Sequence, residues 1–211
     1  ESLIALAMSG PQGALGRLHE LPNDQSRTEL LLQMITFHGE KMPRELLDAA
    51  MPLTSENETT ENKMLRGYSV TLLSQFAAAD PEAALEWITS RTQSEIEVFK
   101  NGSPKRPGLI GIGKLDTTEV LEAAKNLPAA QQDWLIANHY SGRPMDDAPA
   151  LMAEAAEAIK DPANLKLAQN HLLLRAATKG QEAALEPWIV TLPAKEQAEA
   201  RAVISAAKKV R

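Results

Sequence analysis

The stretch that decides the fold is residues 80–88, with the sequence DPEAALEWI. An Asp followed by Pro is typical of a helix start, because the carboxylate accepts from free N–H groups of the first turn and proline fits the first helical position. Ala84, Trp87 and Ile88 then recur at the three- and four-residue spacing of a helix. The segment predicts an amphipathic helix that buries this stripe and leaves Glu86 in water.

The composition is that of a soluble globular protein and excludes several kinds of chemistry. Of 211 residues, 44% are hydrophobic and 24% are charged, and alternating β-branched runs are almost absent. No cysteine occurs, which excludes disulfides, thiolate nucleophiles and cysteine-ligated zinc. No segment approaches the roughly 20 consecutive apolar residues of a membrane-spanning helix. We therefore predict an all-α, soluble protein.

The opening of residues 80–88 recurs weakly along the chain. An apolar opening with a Leu-Pro stop is present at residues 14–22 (ALGRLHELP), 120–128 (VLEAAKNLP) and 184–193 (ALEPWIVTLP), and residues 46–52 are a looser copy. Repeat units begin near Gly10, Met42, Asp80, Asp116, Asp146 and Gly180. The intervals of about 30 to 38 residues are the size of a two-helix repeat.

Six such hairpins account for nearly the whole chain. One hairpin cannot bury its apolar stripe alone, so successive hairpins stack and share a core. The sequence therefore predicts a right-handed α-solenoid, or α-α superhelix, of about six helical hairpins in a single helical-repeat domain over residues 1–211. The second helices of four hairpins are predicted at residues 26–38, 63–78, 131–140 and 195–207.

Residues 80–88, together with the Leu-Pro stops elsewhere, resemble bacterial helical-repeat proteins built on an Asp-Pro-x-x-Ala-Leu-x-Trp theme, and more distantly tetratricopeptide and HEAT repeats. The resemblance covers one good unit and two or three degraded ones. It implies a stack of helical hairpins that serves as a protein-binding scaffold.

One glycine-rich run has the partial form of a phosphate-binding loop. Residues 108–114, GLIGIGK, satisfy the first seven positions of that motif, but Leu115 stands where a Ser or Thr hydroxyl would hold magnesium. The preceding residues 101–107 are no buried strand. Residues 107–114 therefore predict an irregular or short helical insert between repeats, and no nucleotide cofactor.

The sequence contains no constellation typical of catalysis or metal binding. The four histidines lie far apart, without partners at metal-binding spacing: His19, His38, His139 and His171. His38 and His139 each predict the end of a helix. The acidic pair at 146–147 and the glutamates between 56 and 61 fit capping or solvent-facing positions, and no nucleophile elbow occurs. We therefore expect a protein that is not an enzyme, without catalytic, cofactor-binding or metal-binding residues.

Charge is distributed unevenly along the chain. The 28 acidic and 22 basic residues give a net charge of −6, so no general affinity for nucleic acid or anionic lipid is expected. Residues 91–114 and 194–211 each contain five basic and two acidic residues. They predict basic patches that steer an acidic partner or are ordinary solvated surface. The tryptophans are predicted to be core residues: Trp87, Trp134 and Trp188.

These observations predict a non-catalytic protein–protein interaction or scaffolding domain. A protein or peptide partner would lie along a face formed by the second helices. One alternative is a small-molecule-binding or enzymatic domain with a pocket between hairpins and residues 107–114 as a lid. A second is a structural or oligomerising module that self-associates through apolar residues of its last repeat, namely Val203, Ile204 and Val210.

The start of the chain also bears on its origin. Residue Glu1 is no initiator Met, and the apolar residues 2–8 lack the preceding basic residues of a signal peptide. We therefore expect a fragment or the mature part of a longer chain, in the cytoplasm or exported after removal of an N-terminal segment.

Overall fold

A computed structural model describes residues 5, 7, 10–54, 60–92, 94–96, 109–144 and 147–208. Within them the chain is helical and contains no β-strand, which confirms the all-α class. The α-helices are α1 (Pro11–Gly16), α2 (Asp24–His38), α3 (Pro43–Thr54), α4 (Thr60–Ala79), α5 (Pro81–Thr89), α6 (Thr117–Ala124), α7 (Ala129–Gly142), α8 (Ala148–Ala158), α9 (Pro162–Lys179), α10 (Glu186–Ile189) and α11 (Ala194–Lys208). Short 3-10 helices span Leu18–Glu20, Ile110–Lys114 and Glu182–Leu185. None of these helices is both long enough and apolar enough to cross a membrane.

Helices are present at the four places where second helices were predicted, as α2, α4, α7 and α11, and Asp-Pro pairs at 80–81 and 161–162 begin α5 and α9. The Asp80 carboxylate accepts a hydrogen bond from the N–H of Ala83 at 3.0 Å, before α5. Asp161 does the same for the N–H of Asn164 at 2.8 Å, before α9. These bonds satisfy amide groups that have no partner inside the helix, which is why the Asp-Pro pairs mark helix starts.

The described chain forms two compact units, residues 1–111 (unit 1) and residues 112–211 (unit 2). In unit 1, α2 packs against α3, α3 against α4 and α4 against α5, while α2 also packs against α4. The apolar stripes of these helices meet in a core of fully buried side chains that includes Leu30, Leu31, Met34, Leu46, Leu47, Leu65, Leu72 and Leu73. Helix α2 thus contacts both the next helix and the one after it.

Unit 2 repeats this pattern of packing. Helix α7 packs against α6, α8 and α9, and α9 packs against α8 and α11. The core includes Leu135, Met152, Leu172, Leu185 and Ile189, all with 2% or less of their surface exposed. Stability is therefore spread over successive helix pairs in this unit as well.

Two of the three predicted core tryptophans are buried. Trp87 has no exposed surface and Trp134 is 8% exposed, whereas Trp188 is only half-buried. The indole Nε1 of Trp87 on α5 donates to the Asp48 carboxylate on α3 at 2.8 Å. The Arg91 guanidinium lies 4.6 Å from the Trp87 ring centroid and pairs with Asp48 at 2.9 Å. Trp87 therefore fixes α5 against α3 by both packing and a partly buried hydrogen bond.

Two glycines of the phosphate-loop-like run are required for packing. Residues Ile110–Lys114 form a short 3-10 helix, which agrees with the expected short helical insert. In unit 1, a Cβ on Gly111 would lie 1.8 Å from the carbonyl oxygen of Ala77, and in unit 2 a Cβ on Gly113 would lie 2.1 Å from the carbonyl carbon of Gly142. Backbones approach so closely at both positions that no side chain fits.

Candidate protein-binding surface

Among its described residues, unit 1 exposes three large apolar side chains, on two helices that pack side by side. Phe37 on α2 is 49% exposed, and Met64 and Tyr68 on α4 are 48% and 44% exposed. A single exposed hydrophobic residue is ordinary on a protein surface. Several on adjacent helices form a patch, and such patches mark sites of interaction.

Phe37 and Tyr68 line one cavity of about 450 Å³, which we call the α2–α4 groove. Its buried lining includes Ile35 and Leu72, with 8% and 1% of their surfaces exposed. The remaining lining residues are Thr36, Gly39, Glu40, Lys41, Thr71 and Gln75. The groove therefore has an apolar floor, two half-exposed aromatic rings and a mostly uncharged polar rim.

The solvent-facing stripe of α4 beside this groove carries little charge. Its exposed residues are Thr60, Lys63, Met64, Gly67, Tyr68, Thr71, Gln75, Ala78 and Ala79. Lys63 is the one charged member of this set, although 24% of the whole chain is charged. Depletion of charge together with aromatic residues and Met distinguishes the core of a protein interface from ordinary surface.

The hypothesis that all the second helices form one exposed face is wrong for α7. Residues 134–141 of α7 are all buried, so this helix offers no stripe to a partner. A helix that is buried all round belongs to the core. Leu174 on α9 is 43% exposed, but it lines neither the α2–α4 groove nor the two cavities of unit 2 that are described below. The candidate surface is therefore narrower than predicted and lies on α2 and α4.

Two of the basic residues near the C-terminus form ion pairs within unit 2. Arg201 pairs with Glu186 and Lys208 pairs with Glu182, and these side chains line a shallow cavity that also contains half-buried Ile204. Lys166 on α9 pairs in the same way with Glu199 on α11. Two of the five basic residues in 194–211 are therefore paired with carboxylates of unit 2, while Glu199 of the same segment pairs with Lys166.

His139 lies in the last turn of α7, near the helix end as predicted, and its side chain is fully buried. The ring Nδ1 is 3.1 Å from the Ile112 carbonyl oxygen and therefore carries the proton, so that Nε2 accepts from the Thr117 hydroxyl at 3.1 Å. Arg143 donates to the same Thr117 oxygen at 2.6 Å. Burial lowers the pKa of His139, and the Arg143 charge lowers it further.

His171 on α9 is also buried and makes a similar set of contacts. Its Nδ1 lies 3.2 Å from the Ser141 hydroxyl of α7, and Arg175 donates to the Ser141 carbonyl oxygen at 2.6 Å. Burial lowers the pKa of His171, with a smaller contribution from Arg175. Both histidines therefore join elements of unit 2. His38, in contrast, is the last residue of α2, as predicted.

Unit 2 contains a second cavity, of about 510 Å³, that bears on the alternative of a small-molecule site. Five charged side chains line it, namely Lys114, Asp116, Arg143, Asp147 and Glu154. All but Arg143 are exposed. Asp116 accepts from the Thr118 N–H at 2.8 Å, and backbone hydrogen bonding lowers the pKa of its carboxyl. Asp116 and Asp147 serve as helix caps, and no group of three potential metal ligands occurs among the described residues.

Several features of the sequence lie outside the described residues. They are residues 2–4, 6 and 8 of the N-terminal apolar run, Glu56 and Glu58, residues 101–107 together with Gly108 at the start of the glycine-rich run, Asp146, and Val210. Comparisons with protein-family models, with curated proteins and with solved structures found no match to this chain.

Proposed function

We propose that this chain is a non-catalytic protein-interaction domain, an α-solenoid of stacked hairpins that binds a protein or peptide partner in the α2–α4 groove. The observation that carries the proposal is the pair Phe37 and Tyr68, each nearly half exposed beside an apolar floor. Aromatic side chains bury about 150–250 Å² each, so covering the exposed half of one would contribute about 2 kcal/mol.

The packing pattern supports the solenoid part of the proposal. In unit 1, α2 contacts both α3 and α4, and in unit 2, α7 contacts both α8 and α9. Contact of a helix with the next helix and the one after it is what stacked hairpins require. In such a stack, one layer of helices contributes neighbouring ridges, and the furrow between two of them accepts a partner.

The low charge of the α4 surface beside the groove supports the proposal that a partner binds there. A solvated helix face with no partner would gather charged residues, as the outer face of α3 does with Arg44, Glu45 and Asp48. The exposed stripe of α4 instead keeps Met64, Tyr68 and Thr71. These are residues that desolvate at low cost when a partner covers them.

The test is affinity capture from native extract on the immobilised chain, read by mass spectrometry with quantification of stoichiometry. The groove variant is Phe37→Ser with Tyr68→Ser. The matched control is Leu174→Ser with Val190→Ser, which replaces two residues that are 43% and 55% exposed in unit 2. Both variants remove exposed apolar surface, so non-specific adhesion falls equally in the two.

A stoichiometric protein that the wild type and the control retain, and the groove variant loses, would support the proposal. A partner that all three retain would place binding elsewhere on the chain. Capture of this chain alone would point to the oligomerising module instead.

A further inference from the structure

We propose that Met64 is an oxidation site that regulates the α2–α4 groove: a peroxide converts its thioether to a sulfoxide, and the partner then binds more weakly. This inference rests on the proposed function and adds a means of regulating the same surface. It draws on the exposure of Met64, on the burial of other methionines, and on the position of Met64 beside Tyr68.

Methionine is the only source of sulfur in this chain. The sequence has seven methionines and no cysteine, so a peroxide meets no thiolate. Of the five methionines that the structure describes, Met64 alone is exposed, with 48% of its surface accessible. The other four have 7% or less of their surface exposed, namely Met34, Met42, Met51 and Met152. Because oxidation requires access to the sulfur, the reaction within this group is directed to Met64.

Met64 lies one helical turn before Tyr68 on the exposed stripe of α4. Residues four apart on a helix are neighbours on its surface, and Tyr68 lines the groove itself. A partner that covers the ring of Tyr68 therefore comes close to the thioether of Met64.

The packing of α2 on α4 places Met64 along the same furrow. The Thr28 hydroxyl of α2 donates to Asn62 Oδ1 of α4 at 3.3 Å, near the start of both helices. Ile35 and Leu72 line the groove further along the same two helices, so α2 and α4 run in the same direction. Met64 lies between these two levels of α4. A partner that extends from the groove toward the start of α4 would cover it.

The oxidation is a two-electron reaction with hydrogen peroxide. The sulfur lone pair attacks one peroxide oxygen, and an S–O bond forms as the O–O bond breaks. The departing hydroxide takes the proton of the transferred oxygen and leaves as water. The sulfur is thus oxidised by two electrons and the peroxide is reduced to water. Methionine sulfoxide reductases reverse the change with electrons from a dithiol, so the site acts as a switch.

The sulfoxide changes the character of the surface beside the groove. A thioether is apolar, flexible and easily desolvated, which suits a residue that a partner covers. The sulfoxide oxygen accepts hydrogen bonds from water, and burying a polar group without a new hydrogen-bond partner is unfavourable. Oxidation of Met64 therefore weakens binding without a change in the fold.

The first experiment measures which methionine reacts. The whole chain is treated with hydrogen peroxide under native conditions, and sulfoxide formation at each methionine is followed in time by peptide mass spectrometry. We expect Met64 to be oxidised at least about tenfold faster than Met34, Met51 and Met152. Equal rates at these four residues would overturn the proposal.

The second experiment measures binding, with a protein captured from native extract as the probe. A captured protein that the Phe37→Ser, Tyr68→Ser variant loses is titrated into wild type and into Met64→Leu, each before and after limited oxidation. Leucine keeps the volume of methionine and has no sulfur, so sulfoxides elsewhere in the chain affect both forms equally. Met64→Gln, titrated without oxidant, imitates the polarity of the sulfoxide.

We expect about tenfold weaker binding by oxidised wild type and by Met64→Gln, and no effect of oxidation on Met64→Leu. Unchanged binding by oxidised wild type would overturn the proposal, and so would equal weakening of wild type and Met64→Leu. Both of these results would leave the proposed function standing. Absence of any captured protein that depends on the groove would overturn the proposed function together with this inference.

Discussion

His139 and His171 occupy the same position in two successive helix pairs of unit 2. They lie on α7 and α9, 32 residues apart, and the surrounding sequences share the form Leu-x-x-Asn-His-x-x-x-Arg. In each case the histidine and the arginine four residues later both bond to a preceding element, and they lie on one face of the helix. The same two-point polar attachment is therefore present on both α7 and α9.

Acid is expected to destabilise the chain because these histidines are buried. Burial lowers the pKa of both rings in the folded state, so the unfolded chain takes up protons first. Stability is fully present above the unfolded-state pKa of about 6.5 and is lost as the pH falls from there toward the lowered folded-state pKa. Urea titrations between about pH 7.5 and 5 measure this slope.

The His139→Gln, His171→Gln variant should show a flatter dependence over the same pH range, whereas His19→Gln, at an exposed position, should keep the wild-type slope. An unchanged slope in the double variant would show that other groups cause the acid sensitivity. Hydrogen bonds lower the pKa of three carboxyl groups, those of Asp116, Glu95 and Glu199. Their contribution to the stability of the fold is lost only at lower pH, below about 4.5.

Gly113→Ala should destabilise unit 2 by about 2 kcal/mol or more. The new Cβ would lie 2.1 Å from the carbonyl carbon of Gly142, and backbone cannot move aside as a flexible side chain can. Gly67→Ala is the matched control, since nothing lies within 4 Å of its Cβ position in α4. It should stabilise the chain by about 0.5–1 kcal/mol, and thermal unfolding of both variants compares the two effects. Equal melting temperatures would contradict the close backbone approach.

Trp87→Phe should lower the free energy of unfolding by about 2 kcal/mol. The change leaves a cavity in a fully buried site and removes the bond to Asp48. Trp188→Phe, at a half-buried position, should lower it by less than about 1 kcal/mol. Urea unfolding of the two variants measures the difference, and a smaller loss at Trp87 than at Trp188 would show that Trp87 does not anchor α5.

Reversal of the basic charges near the C-terminus should affect stability slightly and leave partner binding unchanged. Arg201→Glu with Lys208→Glu breaks the pairs with Glu186 and Glu182, which are surface ion pairs worth less than about 1 kcal/mol each. The groove partner should still be captured in full by this variant. Loss of the partner would show that it binds the C-terminal basic patch and not the α2–α4 groove.

The helices of this protein could be predicted from sequence because their signals are local. Asp80 and Asp161 each precede a proline and cap the helix that follows, so a short window of sequence suffices. The positions of α2, α4, α7 and α11 followed from apolar spacing in the same way. The burial of α7 could not be predicted, because its apolar spacing resembles that of the other predicted second helices. Only helices that pack around it in space cover it.

The candidate groove could not be predicted because the type of a residue does not determine whether its side chain is exposed in the folded chain. Phe37 and Tyr68 fit a core stripe as well as a surface, and they come together through packing of α2 on α4. The glycine pair at 111 and 113 was predicted only as an insert, since the backbones that approach it are distant in sequence. The repeated Asn-His-x-x-x-Arg form was visible in the sequence and was the signal for the buried attachments of unit 2.

The most direct test of the account is isothermal titration of the captured partner into three forms of the chain. The forms are wild type, Phe37→Ser with Tyr68→Ser, and Leu174→Ser with Val190→Ser, with melting temperatures measured in parallel. We predict at least about 100-fold weaker binding to the groove variant, wild-type binding to the control, and little change in melting temperature. Equal affinity for all three forms would contradict the assignment of the α2–α4 groove as the binding surface.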